Sequence, residues 1–260
     1  MTRRPLFIIA ALVATLSVAL AACSNAPAAP ALTDPKEILA KTVESFKDVT
    51  TVEVVGSLTG SIQMAELGGD LDLSSTTIAG ALDVPNQKGK IVVDAPALLG
   101  TKLEALVVDG AAYAKVTGPL AGFLGLEAGK YMKQEIPQAS GEPMADPSQV
   151  AEEIGNAQEQ LDKLPAPEKL ADEKCGDVDC YHIRINLTAD DLKEISPEAG
   201  AVGEGTATID IWTQKTDLRP AKIDVSVTSP DTGTIGATFT FKYGGTVDVS
   251  APPADQVVEQ

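Results

Sequence analysis

The chain has few of the side chains that usually carry chemistry. Its 260 residues include one histidine, His182, and three cysteines. A hydrolytic triad would have to use His182, and neither a Gly-x-Ser-x-Gly elbow nor an Asp-x-Asp-x-Asp-Gly calcium loop occurs. We expect His182 to be an exposed or simply hydrogen-bonded side chain on the polar face of a strand. The sequence therefore predicts no catalytic residues, no metal site and no cofactor, and we expect that the protein is not an enzyme.

Positive charge and aromatic rings are also scarce. Twenty basic residues stand against 37 acidic ones, the net charge is −17, and aromatic residues make up 4% of the chain. Lys and Arg supply most of the affinity for phosphate backbones, so this balance argues against nucleic acid as a partner. It also argues against electrostatic docking on anionic lipid. The plentiful Ala, Val, Leu and Gly would give an interior with smooth aliphatic walls.

Apolar runs of membrane-spanning length are absent from the sequence. After Arg3 and Arg4, an apolar stretch extends from Leu6 to Leu20, shorter than the ~20 residues of a transmembrane helix. With Leu20-Ala21-Ala22-Cys23 at its end, it is typical of a lipoprotein signal peptide, residues 1–22, cleaved before a diacylglyceryl-modified cysteine. The alternative is a plain signal peptide with a chance cysteine. We predict a lipid anchor on Cys23 in the cell membrane, on the extracytoplasmic side, with residues 23–33 as a tether.

The two remaining cysteines flank a turn-forming sequence. An even pair in an exported protein indicates a disulfide. Cys175 and Cys180 are separated by Gly176-Asp177-Val178-Asp179, so the bond would join the arms of a tight β-turn. The alternative is a zinc site, which would need further Cys or His ligands.

Two periodicities divide the rest of the chain. Helical spacing predicts an amphipathic helix over 35–48, opened by Asp34-Pro35, a second over 146–164, and a short one from Thr188. Period-two alternation, with a hairpin signal at Asp109-Gly110, predicts strands. These strands are 52–59, 70–83, 88–95, 101–109, 111–117, 181–187, 206–213, 221–229 and 235–243.

Many strands with one apolar face must curl to bury that face. We therefore predict that residues 34–260 form one α+β domain, a curled antiparallel sheet of about ten strands with helices packed on its concave side, as a half-barrel. The alternative is a two-layer domain with a filled core, and periodicity does not distinguish a filled interior from a hollow one. Strand alternation nominates six side chains as lining a cavity: Ile209, Ile211, Ile223, Val225, Phe239 and Phe241.

The segment 119–126 is an apolar stretch broken by glycines. One interpretation is a cover over a cavity mouth, and the other is a short core helix. In the first, Phe123 and Leu124 contact the ligand, and Leu120 and Leu126 join them as candidate lipid-binding residues.

The order of elements resembles the LppX/LprAFG family of envelope lipoproteins, whose half-barrel is related to the carrier LolA. The resemblance is carried by the lipobox at Cys23 and by several stretches along the mature chain. These are Lys41-Thr42-Val43-Glu44-Ser45-Phe46, Val107-Val108-Asp109-Gly110-Ala111-Ala112-Tyr113-Ala114-Lys115, Thr208-Ile209-Asp210-Ile211-Trp212, Leu218-Arg219-Pro220 and Val249-Ser250-Ala251-Pro252-Pro253-Ala254. It implies a large hydrophobic cavity that takes the acyl chains of lipids or lipidated glycans, and it transfers no catalytic residue. The Cys175–Cys180 hairpin and the stretch 138–168 depart from the family pattern.

Two functions follow as hypotheses. The first is a membrane-anchored lipoprotein that binds and carries or presents lipids or lipoglycans in a hydrophobic cavity. The second is a non-catalytic structural or interaction lipoprotein with a filled core. A hollow, aliphatic interior would favour the first, and tight packing would favour the second.

Overall fold

The domain begins at a well-capped helix. This computed structural model describes residues 31–64, 69–123, 126–135, 161, 163–195, 205–230 and 233–259. The Asp34 carboxylate accepts hydrogen bonds from the backbone N–H groups of Lys36 and Glu37. Helix α1, Pro35–Glu44, follows with Pro35 in its first turn and continues as a 3₁₀ turn, Ser45–Asp48. The cap and the fixed φ of proline thus set the helix start where the sequence predicts it.

Several predicted features lie outside the described residues. They are the signal peptide, Cys23, most of the tether, Leu124 and nearly all of the helix over 146–164. Residues 34–260 group into one unit by their contacts. In the described part of the chain, no helix is long and apolar enough to span a bilayer.

The period-two segments form strands, with bounds close to those predicted. There are fourteen strands in the described ranges, not about ten. The run 70–83 is two strands, because a turn at Leu73–Thr76 divides it. Four other strands hold only two to five residues, and alternation is hard to read in so few. The strands are β1 Thr51–Met64, β2 Gly69–Asp72, β3 Thr77–Asp83, β4 Lys88–Ala95, β5 Thr101–Val108, β6 Ala111–Thr117, β7 Tyr131–Glu135, β8 Glu168–Lys169, β9 Glu173–Cys175, β10 Val178–Leu187, β11 Thr206–Gln214, β12 Pro220–Ser229, β13 Gly233–Tyr243 and β14 Val257–Glu259.

All fourteen strands belong to one large, open, curled sheet. Its order is β14-β7-β6-β5-β4-β3-β1-β13-β12-β11-β10-β8, with β2 paired to β1 and β9 paired to β10. The sheet is mixed and not purely antiparallel, because β14 runs parallel to β7. Most neighbours are consecutive hairpins, and the long-range pairing of β1 with β13 joins the N-terminal and C-terminal halves.

Two further helices are short. Helix α2, Leu120–Phe123, lies between β6 and β7, and helix α3, Ala189–Ile195, follows β10. Thr188 caps α3, since its hydroxyl accepts a hydrogen bond from Asp191 N–H and its own N–H donates to the Asp191 carboxylate at 2.8 Å. This reciprocal cap explains why the short helix starts where predicted.

The disulfide predicted from the sequence is confirmed. It joins Cys175 at the end of β9 to Cys180 in β10, with the two Cα atoms 6.0 Å apart. Gly176 turns the chain with a φ of 65°, a conformation that glycine adopts without a steric penalty. The hairpin therefore attaches β9 to the edge of the sheet.

Candidate functional site

One face of the sheet is apolar over the strands from β6 to β10, and we call it the apolar face. Cross-strand pairs place a single row of side chains over nine neighbouring strands, interrupted only by one glycine. From β6 to β10, the row is Val116, Leu103, Val93, Ile78, Gly56, Phe239, Ile223, Ile211 and Ile183. Since facing pairs in a sheet project to the same side, this register makes a continuous aliphatic surface.

Helix α1 covers this face at the β10 end only. Ile38 and Leu39 of α1 are buried, and so are Ile183 and Ile185 of β10. The Thr42 hydroxyl lies 2.8 Å from that of Thr213, which ties α1 to β11. The core under α1 is therefore filled, as in an ordinary two-layer domain.

In the described part of the chain, several side chains in the middle of the apolar face remain exposed. Leu82, Ile91 and Leu103 are 45%, 44% and 38% exposed, although their side chains belong to the apolar face. Isolated exposed apolar residues are common, but a contiguous exposed set marks a binding surface. Leu82 and Ile91 line a groove over β1, β3, β4, β5 and β13, and Leu103 lies beside it on β5.

The groove has a volume of about 430 Å³ and aliphatic walls. Small residues make its floor. A Cβ atom built on Gly80 would have only ordinary contacts, 3.7 Å from the Lys90 carbonyl and 4.0 Å from Val54 Cβ. Gly89 also contributes no side chain. The groove is lined by Val52, Val54, Ile78, Gly80, Ala81, Leu82, Gly89, Lys90, Ile91, Ala105, Val107 and Phe239.

No ammonium group from the lining set projects into the groove. Lys90 lies on β4 between Gly89 and Ile91, so its side chain points to the opposite face. There it pairs with Glu104, with Nζ 2.9 Å from the carboxylate. On the side of β4 that faces the groove, the lining residues are therefore Gly89 and Ile91, and this apolar surface is suited to contact a hydrocarbon chain.

The structure brings six of the ten nominated lipid-binding residues onto the apolar face. Ile211, Ile223 and Phe239 are in the nine-strand row, and Ile209 and Val225 form the next row with Ala237 and Leu58. Phe241 faces Val54 on β1. Of these six, Phe239 lines the 430 Å³ groove.

None of the described residues of the segment 119–126 lines that groove. Leu120 and Leu126 are half-buried, while Phe123 is 81% exposed. Only Ala121 of α2 is buried. The described part of the segment is thus neither a core helix nor part of the groove wall.

Most groove residues were missed by the sequence analysis. Val52, Val54, Ile91 and Val107 come from the N-terminal half, whose strands alternate as regularly as the C-terminal ones. The available signal was the glycine pair Gly80 and Gly89, because glycine inside a strand often marks close approach of another group.

The opposite face of the sheet has its own small core. Leu106, Val108, Tyr113 and Tyr131 are buried there against Val249, with Val247 and Val257 alongside. The C-terminal segment therefore covers the outer side of β5–β7, and the sheet is filled on different faces at its two ends.

His182 lies on the opposite face, and of the two states expected for it, exposed or hydrogen-bonded, the structure shows a buried, hydrogen-bonded side chain. Its Nε2 is 2.8 Å from Asp210 and its Nδ1 is 3.1 Å from Glu173. The ring also stacks on Trp212, with centroids 4.2 Å apart. Both ring nitrogens are occupied by carboxylates, so His182 has no free nitrogen to activate a nucleophile.

Charge pairs surround this histidine. Arg184 donates two hydrogen bonds to Asp210, at 2.9 and 3.0 Å. Burial opposes the ionisation of Asp210, but the hydrogen bonds from Arg184 and His182 outweigh it, so the pKa of Asp210 is lowered. In the part of the chain that the structure describes, no group of three His, Cys, Asp or Glu side chains is placed to hold a metal ion. The contacts of His182 with Glu173 and Asp210 join β9, β10 and β11.

A second recess of about 740 Å³ lies beside the disulfide hairpin. Trp212, Lys222, Lys242 and Glu173 contribute to its lining. Lys222 lies 4.2 Å from the Trp212 ring. With ammonium and carboxylate groups around it, this recess is larger than the groove but a poor match for an acyl chain.

No protein-family model and no curated protein sequence matches the chain. Its structure is similar to that of the Mycobacterium tuberculosis lipoprotein LppX, with a TM-score of 0.50 and 14% identity, over 83% of this chain and 98% of LppX. LprF from Mycobacterium bovis matches with a TM-score of 0.46 and 14% identity, over 84% of this chain and 96% of LprF. A chain of the Pseudomonas aeruginosa MucA/MucB complex matches with a TM-score of 0.38 and 12% identity, over 86% and 60%.

The likeness to LppX shows the class of fold. The sheet is an open half-barrel of the LppX type, so the resemblance drawn from the order of elements is confirmed at the level of the fold. At 14% identity, the function has to be argued from this chain's own residues.

Proposed function

We propose that this protein is a non-enzymatic envelope lipoprotein that binds the acyl chains of lipids or lipoglycans and carries or presents them. The observation that carries the proposal is the open groove on the apolar face, about 430 Å³ in volume and lined by Leu82 and Ile91, with the exposed Leu103 beside it. Its size is within the range of small-molecule sites. A core filled throughout would have buried these three side chains.

Burial of hydrocarbon supplies the binding energy. Each methylene group transferred from water into an aliphatic groove contributes about 0.8 kcal/mol. Ten methylenes would contribute about 8 kcal/mol before the cost of immobilising the lipid is subtracted. Because that cost is at least about 4 kcal/mol, micromolar affinity requires more buried methylene groups than these ten, and a longer chain or a second chain would supply them.

The groove selects by chain and not by headgroup. Its aliphatic walls have no charged side chain to pair with a phosphate, since Lys90 is turned to the other face and held by Glu104. A lipid headgroup would stay outside in water, because burying it without partners is costly. Lipids with different headgroups but similar chains should thus bind alike.

Membrane attachment is part of the same proposal. Acyl groups on Cys23 would hold the domain at the extracytoplasmic face of a membrane, where its ligands are dissolved. Residues 23–33, if extended, would reach roughly 36 Å.

We propose that the protein is not an enzyme because the surroundings of His182 do not suit catalysis. Each of its nitrogens contacts a carboxylate, and its ring is packed on Trp212. It lies on the face opposite the groove. A lipid held in the groove would therefore not meet it.

Native mass spectrometry with lipid extraction tests the proposal. The chain would be exported with Cys23→Ala, so that the proposed anchor does not contribute lipid of its own. A co-purifying acylated species near one per chain would support the lipid carrier and name its ligand class. A clean mass, with no uptake from added vesicles, would instead favour the structural lipoprotein.

A further inference from the structure

Two exposed apolar side chains stand together at one end of the sheet. Leu99 is 64% exposed and Phe123 is 81% exposed, the highest values among the large apolar residues of the described chain. Leu99 belongs to the turn between β4 and β5, and Phe123 ends α2 after β6. We call the segments 96–100 and 118–123 the rim.

The two rim segments leave the sheet side by side. Lys102 pairs with Thr117 on the neighbouring strand. A Cβ atom built on Gly118 would lie 3.0 Å from the Gly100 carbonyl, so the two backbones are in contact. Leu99 and Phe123 are therefore presented by adjacent loops at the same end of β5 and β6.

Both segments are held in place by backbone hydrogen bonds. Gly100 N–H donates to the Pro96 carbonyl at 2.8 Å, and Gly122 N–H donates to the Pro119 carbonyl at 3.1 Å. Ala121 is fully buried and anchors α2. The exposed side chains thus sit on defined turns.

Leu99 is unfavourable for the folded chain in two respects. Its φ is 56°, in the left-handed region where a leucine is strained and glycine or asparagine is at ease. It also exposes most of a large aliphatic side chain to water. Neither backbone conformation nor packing accounts for leucine at this turn, and such a residue points to a function at the surface.

Charge and continuity indicate what the rim contacts. The sequences Pro96-Ala97-Leu98-Leu99-Gly100 and Gly118-Pro119-Leu120-Ala121-Gly122-Phe123 contain no charged residue, in a chain of net charge −17. From the rim, Leu103 continues the apolar surface along β5 to Ala105 in the groove wall. The rim is therefore an uncharged, apolar edge that leads to the lipid groove.

We propose that the rim inserts into a lipid bilayer and aligns the groove with it, so that acyl chains pass between membrane and groove without crossing water. This inference rests on the proposed function, since it gives the route by which the groove is loaded. Insertion would be driven by the apolar side chains of Leu99 and Phe123 and not by basic residues. Binding should accordingly be insensitive to salt.

The test compares the exported Cys23→Ala chain with rim variants that keep the fold. Leu99→Asn removes the aliphatic side chain and suits the left-handed φ, and Phe123→Asn is added to it. Val55→Asn is the matched control, because Val55 is 58% exposed but lies on the opposite face of β1. Two measurements are made: co-flotation with phosphatidylcholine vesicles, and equilibrium binding of a fluorescent fatty acid in solution.

We expect the double rim variant to lose about tenfold or more in vesicle partitioning, with fatty-acid affinity unchanged within twofold and the control unaffected in both assays. Equal flotation of the rim variant and the unsubstituted chain would overturn the inference, and so would a parallel loss of fatty-acid affinity or partitioning that requires anionic lipid. If the unsubstituted chain floats through its rim but takes up no fatty acid, then the proposed function fails on its own.

Discussion

Filling the groove from its floor gives the sharpest test of where lipid binds. Gly80 lies in β3 on the apolar face, between Val54 and Ile91, and a side chain there would enter the groove. The nearest atoms to a new Cβ are at 3.7 and 4.0 Å, so a Cβ at this position requires no backbone shift, and we expect the rest of the leucine side chain to occupy the open groove. Replacing a strand glycine also reduces the entropy of the unfolded chain, so stability should be unchanged or higher by about 0.5 kcal/mol.

The effect on binding follows from the volume that leucine takes. Its side chain would displace about three methylene groups of a bound acyl chain, at about 0.8 kcal/mol each. We expect the free energy of fatty-acid binding to weaken by about 2 to 3 kcal/mol, or roughly 30- to 150-fold in the dissociation constant.

A neighbouring residue provides the control. Ala79 is exposed and points to the opposite face of the same strand, so Ala79→Leu adds an aliphatic side chain outside the groove. The assay is displacement of a fluorescent fatty acid, with thermal unfolding measured in parallel. If Gly80→Leu and Ala79→Leu bind equally well, the groove is not the lipid site and the reasoning is refuted.

Two further predictions concern stability. Burial of Glu104 opposes its ionisation, but hydrogen bonds from Lys115 and Lys90 prevail and lower its pKa to about 2. Since this folded-state pKa is depressed, the stabilisation is complete above pH 4.5 and is lost as the pH falls toward 2. Glu104→Gln should cost up to about 3 kcal/mol at pH 7 and clearly less at pH 3, measured by urea unfolding at both values; an equal cost at both would contradict the charge-pair explanation. Opening the Cys175–Cys180 bond by paired alanine substitution should cost about 2 kcal/mol. Because Glu173 of the same hairpin accepts a hydrogen bond from Trp212 at 3.0 Å, the fluorescence of this single tryptophan should also change; unchanged fluorescence would mean that the hairpin holds its place without the disulfide.

The local pattern of residues predicted much of the secondary structure. The predicted strand 88–95 coincides with β4, and 111–117 coincides with β6, because alternation is written into each strand's own sequence. The start of α1 at Asp34-Pro35 and the disulfide turn at Gly176 are equally local. The short strands β8 and β9 hold two and three residues, too few for a period, and exist because β10 offers an edge to pair with.

The candidate site was decided by the tertiary structure. The nine-strand row depends on the register of β1 against β13, which joins residues nearly two hundred positions apart, and no local pattern encodes that register. Whether Ile91 and Leu103 are buried depends on which strands α1 covers, and α1 packs at the β10 side of the sheet. Likewise, alternation placed His182 on the polar face, but only pairing of β9, β10 and β11 enclosed it between Glu173 and Asp210. Alternation is encoded within a single strand. A groove forms where several paired strands are left without a covering segment, and this depends on how distant parts of the chain pack.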